Sequence, residues 1–144
     1  MNNKKILKKQ YGLSLIEIVV ALTILGVVFI GLVQSFPFGL SVSKEGSDLT
    51  TASFLAQSKI EELISLNYEN IIVGTIEPKA RLSADPSNYY YYFQRETIVS
   101  YVDGSLNEVG GDQGMKKIST TVYFINAVSK TEKNYNITSL VSRR

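Results

Sequence analysis

The sequence contains no histidine, no cysteine and no tryptophan, and only three prolines among 144 residues. Without histidine or cysteine there is no Ser-His-Asp triad, no cysteine nucleophile, no thiolate or imidazole zinc site and no haem ligation by either residue. No disulfide framework forms, so cysteine usage is silent about the redox compartment. Any enzyme built on this chain would have to use carboxylates, Ser, Lys or Tyr, and no spacing pairs them. The expectation is a chain that is not an enzyme, with no catalytic residue, no metal site and no cofactor.

Charge of one sign is also scarce, at 15 Lys+Arg against 13 Asp+Glu and a net +2. Its placement is uneven. Residues 1–12 carry Lys4, Lys5, Lys8 and Lys9 and no acid. Setting those four aside leaves eleven bases against thirteen acids, a net −2 for residues 13–144. A mildly acidic body argues against nucleic-acid binding driven by overall charge. The length suits one ordinary domain.

What is present begins with Leu13–Val33, in which Glu17 is the one charge and Ser14 and Thr23 are the other polar residues. At about 1.5 Å per residue this run spans roughly 31 Å, which matches a bilayer core of about 30 Å. An ordinary signal peptide has an apolar region of only about 7–15 residues. The lysines before the run predict a cytoplasmic N-terminus. Its many β-branched residues weaken a helix in water, but in lipid only a helix satisfies a lone segment's backbone. The run is therefore read as a membrane helix over 13–35. Pro37 and Gly39 predict a kink or connection over 36–46. Beyond it, Leu49, Ala52, Leu55, Ala56, Ile60, Leu63 and Ile64 recur at three- and four-residue spacing, which predicts an amphipathic helix over 47–69 capped by Ser47 or Asp48.

From Asn70 onward short β-prone runs take over. Residues 71–82 read as a loop or an edge strand because of Pro78. Tyr89–Val102, Met115–Val128 and Tyr135–Val141 read as strands, and 103–114 as a turn-rich connection. Within Met115–Val128, Ile118, Thr120, Val122 and Phe124 alternate with Ser119, Thr121 and Tyr123. The fold class is α+β: a long N-terminal helix, kinked near Pro37, packed on a small antiparallel sheet, with 47–144 as the soluble headgroup.

Gly12-Leu13-Ser14-Leu15-Ile16-Glu17, set between a lysine-rich leader and an apolar rod, resembles the class III signal of the type IV pilin family. The resemblance implies that prepilin peptidase cuts the Gly12–Leu13 bond, discards residues 1–12 and methylates the new amine of Leu13. It further implies that Glu17 registers subunits during assembly by pairing with an amine. Leu13 stands where the family usually has phenylalanine. Residues 51–63 look like the soluble helix of type IV pilus modification proteins and of the "I" pseudopilins of type II secretion. The absence of cysteine departs from major pilins that carry a C-terminal disulfide loop.

The resemblance thus implies a structural minor pilin or pseudopilin. Its partners would be prepilin peptidase, sister pilin subunits meeting through the N-terminal helix, and an inner-membrane assembly platform. It would be a single-pass inner-membrane protein with a cytoplasmic N-terminus, later part of a pilus or pseudopilus. The alternative is a secreted or membrane-anchored binding protein with an ordinary signal peptide or anchor, since Val33-Gln34-Ser35 and Ser41-Val42-Ser43 offer conventional cleavage residues.

Weaker signals are read conservatively. Asp103, Ser105 and Asn107 have calcium-loop spacing, but Glu108 and Gly114 break the pattern, so a plain hairpin connection is expected. Tyr89–Tyr92 are expected in a half-buried strand with two rings on each face. Lys116-Lys117 and Arg143-Arg144 are expected on a solvated surface, and Asn136-Ile137-Thr138 matches a glycosylation sequon.

Overall fold

A computed structural model of the chain describes Gly12, residues 14–126 and residues 130–143. The leader lysines, Leu13, the expected strand end at Val128 and Arg144 lie outside the described residues. One α-helix, α1, covers Leu15–Ile64. The strands are β1 (Gly74–Arg81), β2 (Phe93–Val102), β3 (Glu108–Val109), β4 (Met115–Ile125) and β5 (Glu132–Ser142). They pair antiparallel in the order β1-β2-β4-β5, with the short β3 pairing the end of β2. A long N-terminal helix followed by an antiparallel sheet is the α+β fold that the sequence predicts.

Two boundaries of the helix differ from expectation. Residues 36–46, expected as a kink or connection, are helical throughout, with Pro37 inside α1. A helix-interior proline costs about 3 kcal/mol through one lost bond and a local clash. A break would instead leave up to four N–H and four C=O groups unsatisfied at the new ends, which is the larger cost. Ser47 and Asp48 accordingly lie within the helix and are not its cap. At the other end α1 stops at Ile64, where Leu66 N–H turns back to the Leu63 carbonyl at 3.1 Å and a 3₁₀ turn follows at Tyr68–Asn70.

The chain divides into two compact units, one up to residue 40 and one from residue 41. In the first, every described residue is exposed. In the second, the helix and sheet bury a shared core. Asp48, Ala52, Ala56 and Ile60 recur every four residues, and Leu63 extends the same stripe. Ala52 and Ala56 meet Phe93, Val122 and Phe124, while Ile60 and Leu63 meet Ile71, Val99 and Ile118. Leu49 and Ile64, expected on this face, flank it and remain exposed. Along β4 the buried positions are Lys116, Ile118, Thr120, Val122 and Phe124, the alternation that the sequence predicts.

Tyr89–Tyr92 do not join the strand. They form a 3₁₀ turn because the Asn88 side chain accepts from Tyr90 N–H at 2.9 Å and the Asn88 carbonyl accepts from Tyr91 N–H at 3.0 Å. β2 therefore begins at Phe93. β1 is an edge strand with Pro78 inside it and register irregularities between Thr75 and Glu77 and between Glu77 and Ala80. An edge is where a residue without an N–H is tolerated.

Candidate functional site

The residues singled out by the sequence gather at the start of α1. Gly12 and Ser14 lie outside the helix. The Ser14 carbonyl accepts the first bonds of the helix, from Glu17 N–H at 3.0 Å and Ile18 N–H at 3.2 Å. Glu17 is thus the acid of the first turn, where a carboxylate interacts favourably with the positive end of the helix dipole. The scissile bond expected at Gly12–Leu13 has one member, Leu13, outside the described residues.

From Leu15 to Leu40 large apolar side chains point in all directions, and none is covered by the chain itself. Ile16 is 66% exposed, Phe29 65% and Phe36 73%. A helix apolar all round is built for an apolar environment. Its two hydroxyls turn inward to their own backbone: Thr23 hydroxyl donates to the Val19 carbonyl at 2.8 Å, and Ser35 hydroxyl to the Gly31 carbonyl at 2.8 Å. Each hydroxyl is thereby satisfied without water. Glu17 has no such solution within a helix turn, and a lone ionised carboxylate deep in lipid costs on the order of 3 kcal/mol. α1 is long and apolar enough to cross a membrane by length and composition.

The remaining expectations fall in the unit from residue 41. Lys116 was expected on a solvated surface, and it is 3% exposed. Its ammonium donates to the Tyr68 and Ile71 carbonyls, both at 2.8 Å, and lies 4.1 Å from the centre of the Tyr68 ring. Strand parity places it inward beside Ile118, and the turn after α1 supplies the carbonyls it needs. Lys117, on the opposite face, pairs with Glu108 at 2.5 Å. Arg143 pairs with Glu69 at 3.0 Å and Asp112 at 2.6 Å. Lys116, Lys117 and Arg143 are thus each engaged within the chain, and Arg144 lies outside the described residues.

Asp112 accepts from the Tyr68 hydroxyl at 2.5 Å and from Gly114 N–H at 2.7 Å. The Tyr68 bond, the Gly114 amide and then the charges of Arg143 and Lys116 hold its carboxyl below the usual value. Burial, followed by the bond to Asp112, pushes the Tyr68 phenol up to about 12. This cluster ties the turn after α1 to the 103–114 loop and to Arg143, the residue that follows β5.

The calcium-like spacing resolves into loop architecture. Asp103 carboxylate accepts from Ser105 N–H at 2.8 Å and Asn107 N–H at 2.9 Å, and these backbone bonds lower its pKa. Among the described residues no group of three His, Cys, Asp or Glu side chains is placed to hold a metal. The Asn136 amide of the sequon donates to the Ser119 hydroxyl at 2.9 Å and the Thr121 hydroxyl at 2.8 Å. It is engaged on the sheet surface. Asp48, which the sequence offered only as a cap, is buried and accepts from the Tyr89 hydroxyl at 2.7 Å. Arg95 forks onto Glu77 at 2.8 and 3.0 Å and reaches the Leu55 carbonyl at 3.3 Å, joining sheet to helix. No spacing in the sequence signals the Asp48 and Arg95 contacts, whose partners lie 18 to 41 positions apart.

Residues 7–33 match the prokaryotic N-terminal methylation motif, a stretch that includes Gly12, Leu13 and Glu17. No curated protein and no solved structure matches the chain. The motif is typical of type IV pilins and pseudopilins, which are normally structural subunits without enzymatic activity, and it implies processing by prepilin peptidase and assembly with other pilins. A hydrophobic helix behind such a motif is consistent with an inner-membrane prepilin that later enters a pilus. The chain carries this N-terminal methylation motif at the head of a pilin-like α+β fold.

Proposed function

We propose that the chain is a minor pilin or pseudopilin, cut between Gly12 and Leu13 by prepilin peptidase and N-methylated on Leu13. The observation that carries this reading is the methylation motif over 7–33, coincident with the part of α1 up to residue 40, whose apolar side chains are all exposed. Prepilin peptidase needs an extended backbone at the cut, and Gly12 with no side chain enters a protease cleft without a clash. Cutting ahead of the rod keeps the hydrophobic helix in the mature protein. Glu17 then has a partner in a cationic Leu13 amine, of its own chain or of a neighbouring subunit, which removes the cost of its charge in lipid and sets axial register. The missing cysteines favour a minor over a disulfide-looped major subunit. The same helix would contact sister subunits and the inner-membrane assembly platform. The domain division follows: a leader over 1–12, an assembly helix over 13–35 and a headgroup over 47–144.

Mass spectrometry of the mature N-terminus tests the reading. A start at Leu13 carrying one added methyl group supports it. A start near Phe36 or Lys44 would establish an ordinary secreted protein instead, and an intact Met1 a permanently anchored one. Either result sinks the pilin reading.

A further inference from the structure

We propose that the free edge of β5 is a strand-pairing surface whose partner is the β5 edge of a second copy of this chain. The two edges of the sheet are built differently. β1 is guarded: Pro78 removes a donor, two irregularities break its register, and Arg81 adds a charge at its end. These are the devices by which edge strands avoid unwanted pairing. β5 has none of them over most of its length. It pairs with β4 residue for residue, from Glu132 opposite Ile125 to Ser142 opposite Met115, without a slip. Residues 134–142 contain no charge, no proline and no glycine. Its two charged residues sit at one end, and each is neutralised within the chain, Glu132 by Lys79 at 2.8 Å and Lys133 by Glu45. Among the described residues no other strand pairs with its outer side.

A second copy fits this edge. An isologous antiparallel pairing about the strand midpoint, Ile137, overlaps the whole strand and sets Lys133 opposite Val141, Asn134 opposite Leu140 and Asn136 opposite Thr138. No charge then faces a like charge. Because opposed residues share parity, Tyr135, Ile137 and Val141 stay on the face that packs on the core in both copies. The result is one sheet continued across two chains, held by backbone bonds that β5 otherwise leaves to water. This inference rests on the headgroup and is independent of N-terminal processing.

Because the chain has no cysteine, introduced thiols report without background. Full chains carrying Asn134→Cys and Leu140→Cys are mixed in detergent and oxidised, with Thr75→Cys on β1 as the control for association through the apolar helix. The expected result is several-fold more disulfide dimer in the mixture than in the control, with a several-fold loss when Thr138→Lys is added to both chains. Equal cross-linking at β1 and β5, or none at β5, overturns the proposal. Hydrogen exchange on the unmodified chain gives a second reading that needs no variant. Amides of β5 gain protection as concentration rises while those of β1 do not, and unchanged β5 exchange also overturns it. The N-terminal mass, read from the same sample, reports separately on processing.

Discussion

The two compact units solve the problem of apolar surface in opposite ways. Residues 41–143 bury theirs between the last turns of α1 and the sheet, with alanines at 52 and 56 where the helix meets the phenylalanines of β2 and β4. Residues 14–40 bury nothing, although they are the more apolar. The headgroup carries the determinants of its own stability, while the apolar half of the helix depends on lipid or on other chains. Substitutions in the first should register in folding, and substitutions in the second in processing and assembly.

The largest expected separation comes from Phe93→Ala. Removing this fully buried ring should cost the headgroup about 3–5 kcal/mol in urea denaturation. Membrane retention and N-terminal processing should be unchanged, and a loss of either would break the comparison. Lys116→Ala comes next. It strands the buried Ile71 carbonyl, at about 1–3 kcal/mol for a group left unsatisfied, while the Tyr68 carbonyl keeps the Ile71 N–H at 3.3 Å; the loss is again read by denaturation. Glu17→Ala is the converse case. Denaturation of the headgroup should not move, while methylation or filament incorporation falls, and normal incorporation would show that this carboxylate does not set register.

The smaller effects are dependences on pH. The Tyr68 phenol is raised in the folded chain, so its stabilisation is complete below pH 10.0 and is lost as pH climbs towards about 12. Tyr68→Phe should flatten that alkaline decline. The Asp112 carboxyl is depressed, so its contribution is present above its ordinary value of 3.8 and disappears as pH falls below it. Asp112→Asn should remove that part of the acid slope. An unchanged alkaline or acid profile in the corresponding variant would show that the cluster around Tyr68 does not couple to folding.

Much of this division was legible in the residues. The apolar run, the four-residue spacing through Ala52, Ala56 and Ile60, and the alternation from Ile118 to Phe124 are patterns of burial, and burial is what periodicity reports. Pro78 marked β1 as an edge strand or a loop for a reason that the structure bears out. Three features were not legible. Pro37 read as a kink or a short break, and the break does not occur, because the sequence shows the local penalty but not the larger one of two new helix ends. Tyr89–Tyr92 looked like a strand by composition, yet one side-chain bond at Asn88 decided the local conformation. Lys116 looked like a surface cation because its carbonyl partners, at Tyr68 and Ile71, come from 45 or more positions away. The methylation motif over 7–33 was legible because it is a linear pattern that needs no fold to be recognised.

The hydrogen bonds at the head of α1 give that signal a mechanical meaning. The Ser14 carbonyl anchors the first turn, two positions beyond Gly12. A cut after Gly12 leaves this anchor in place, so the Glu17 and Ile18 amides keep their acceptor. The side-chain charge of the polypeptide would meanwhile pass from +2 to −2. On the processing proposed above, maturation would act as an electrical inversion without a conformational cost: the chain would change sign and shed its basic leader, while the helix proposed to enter a filament would keep its first turn.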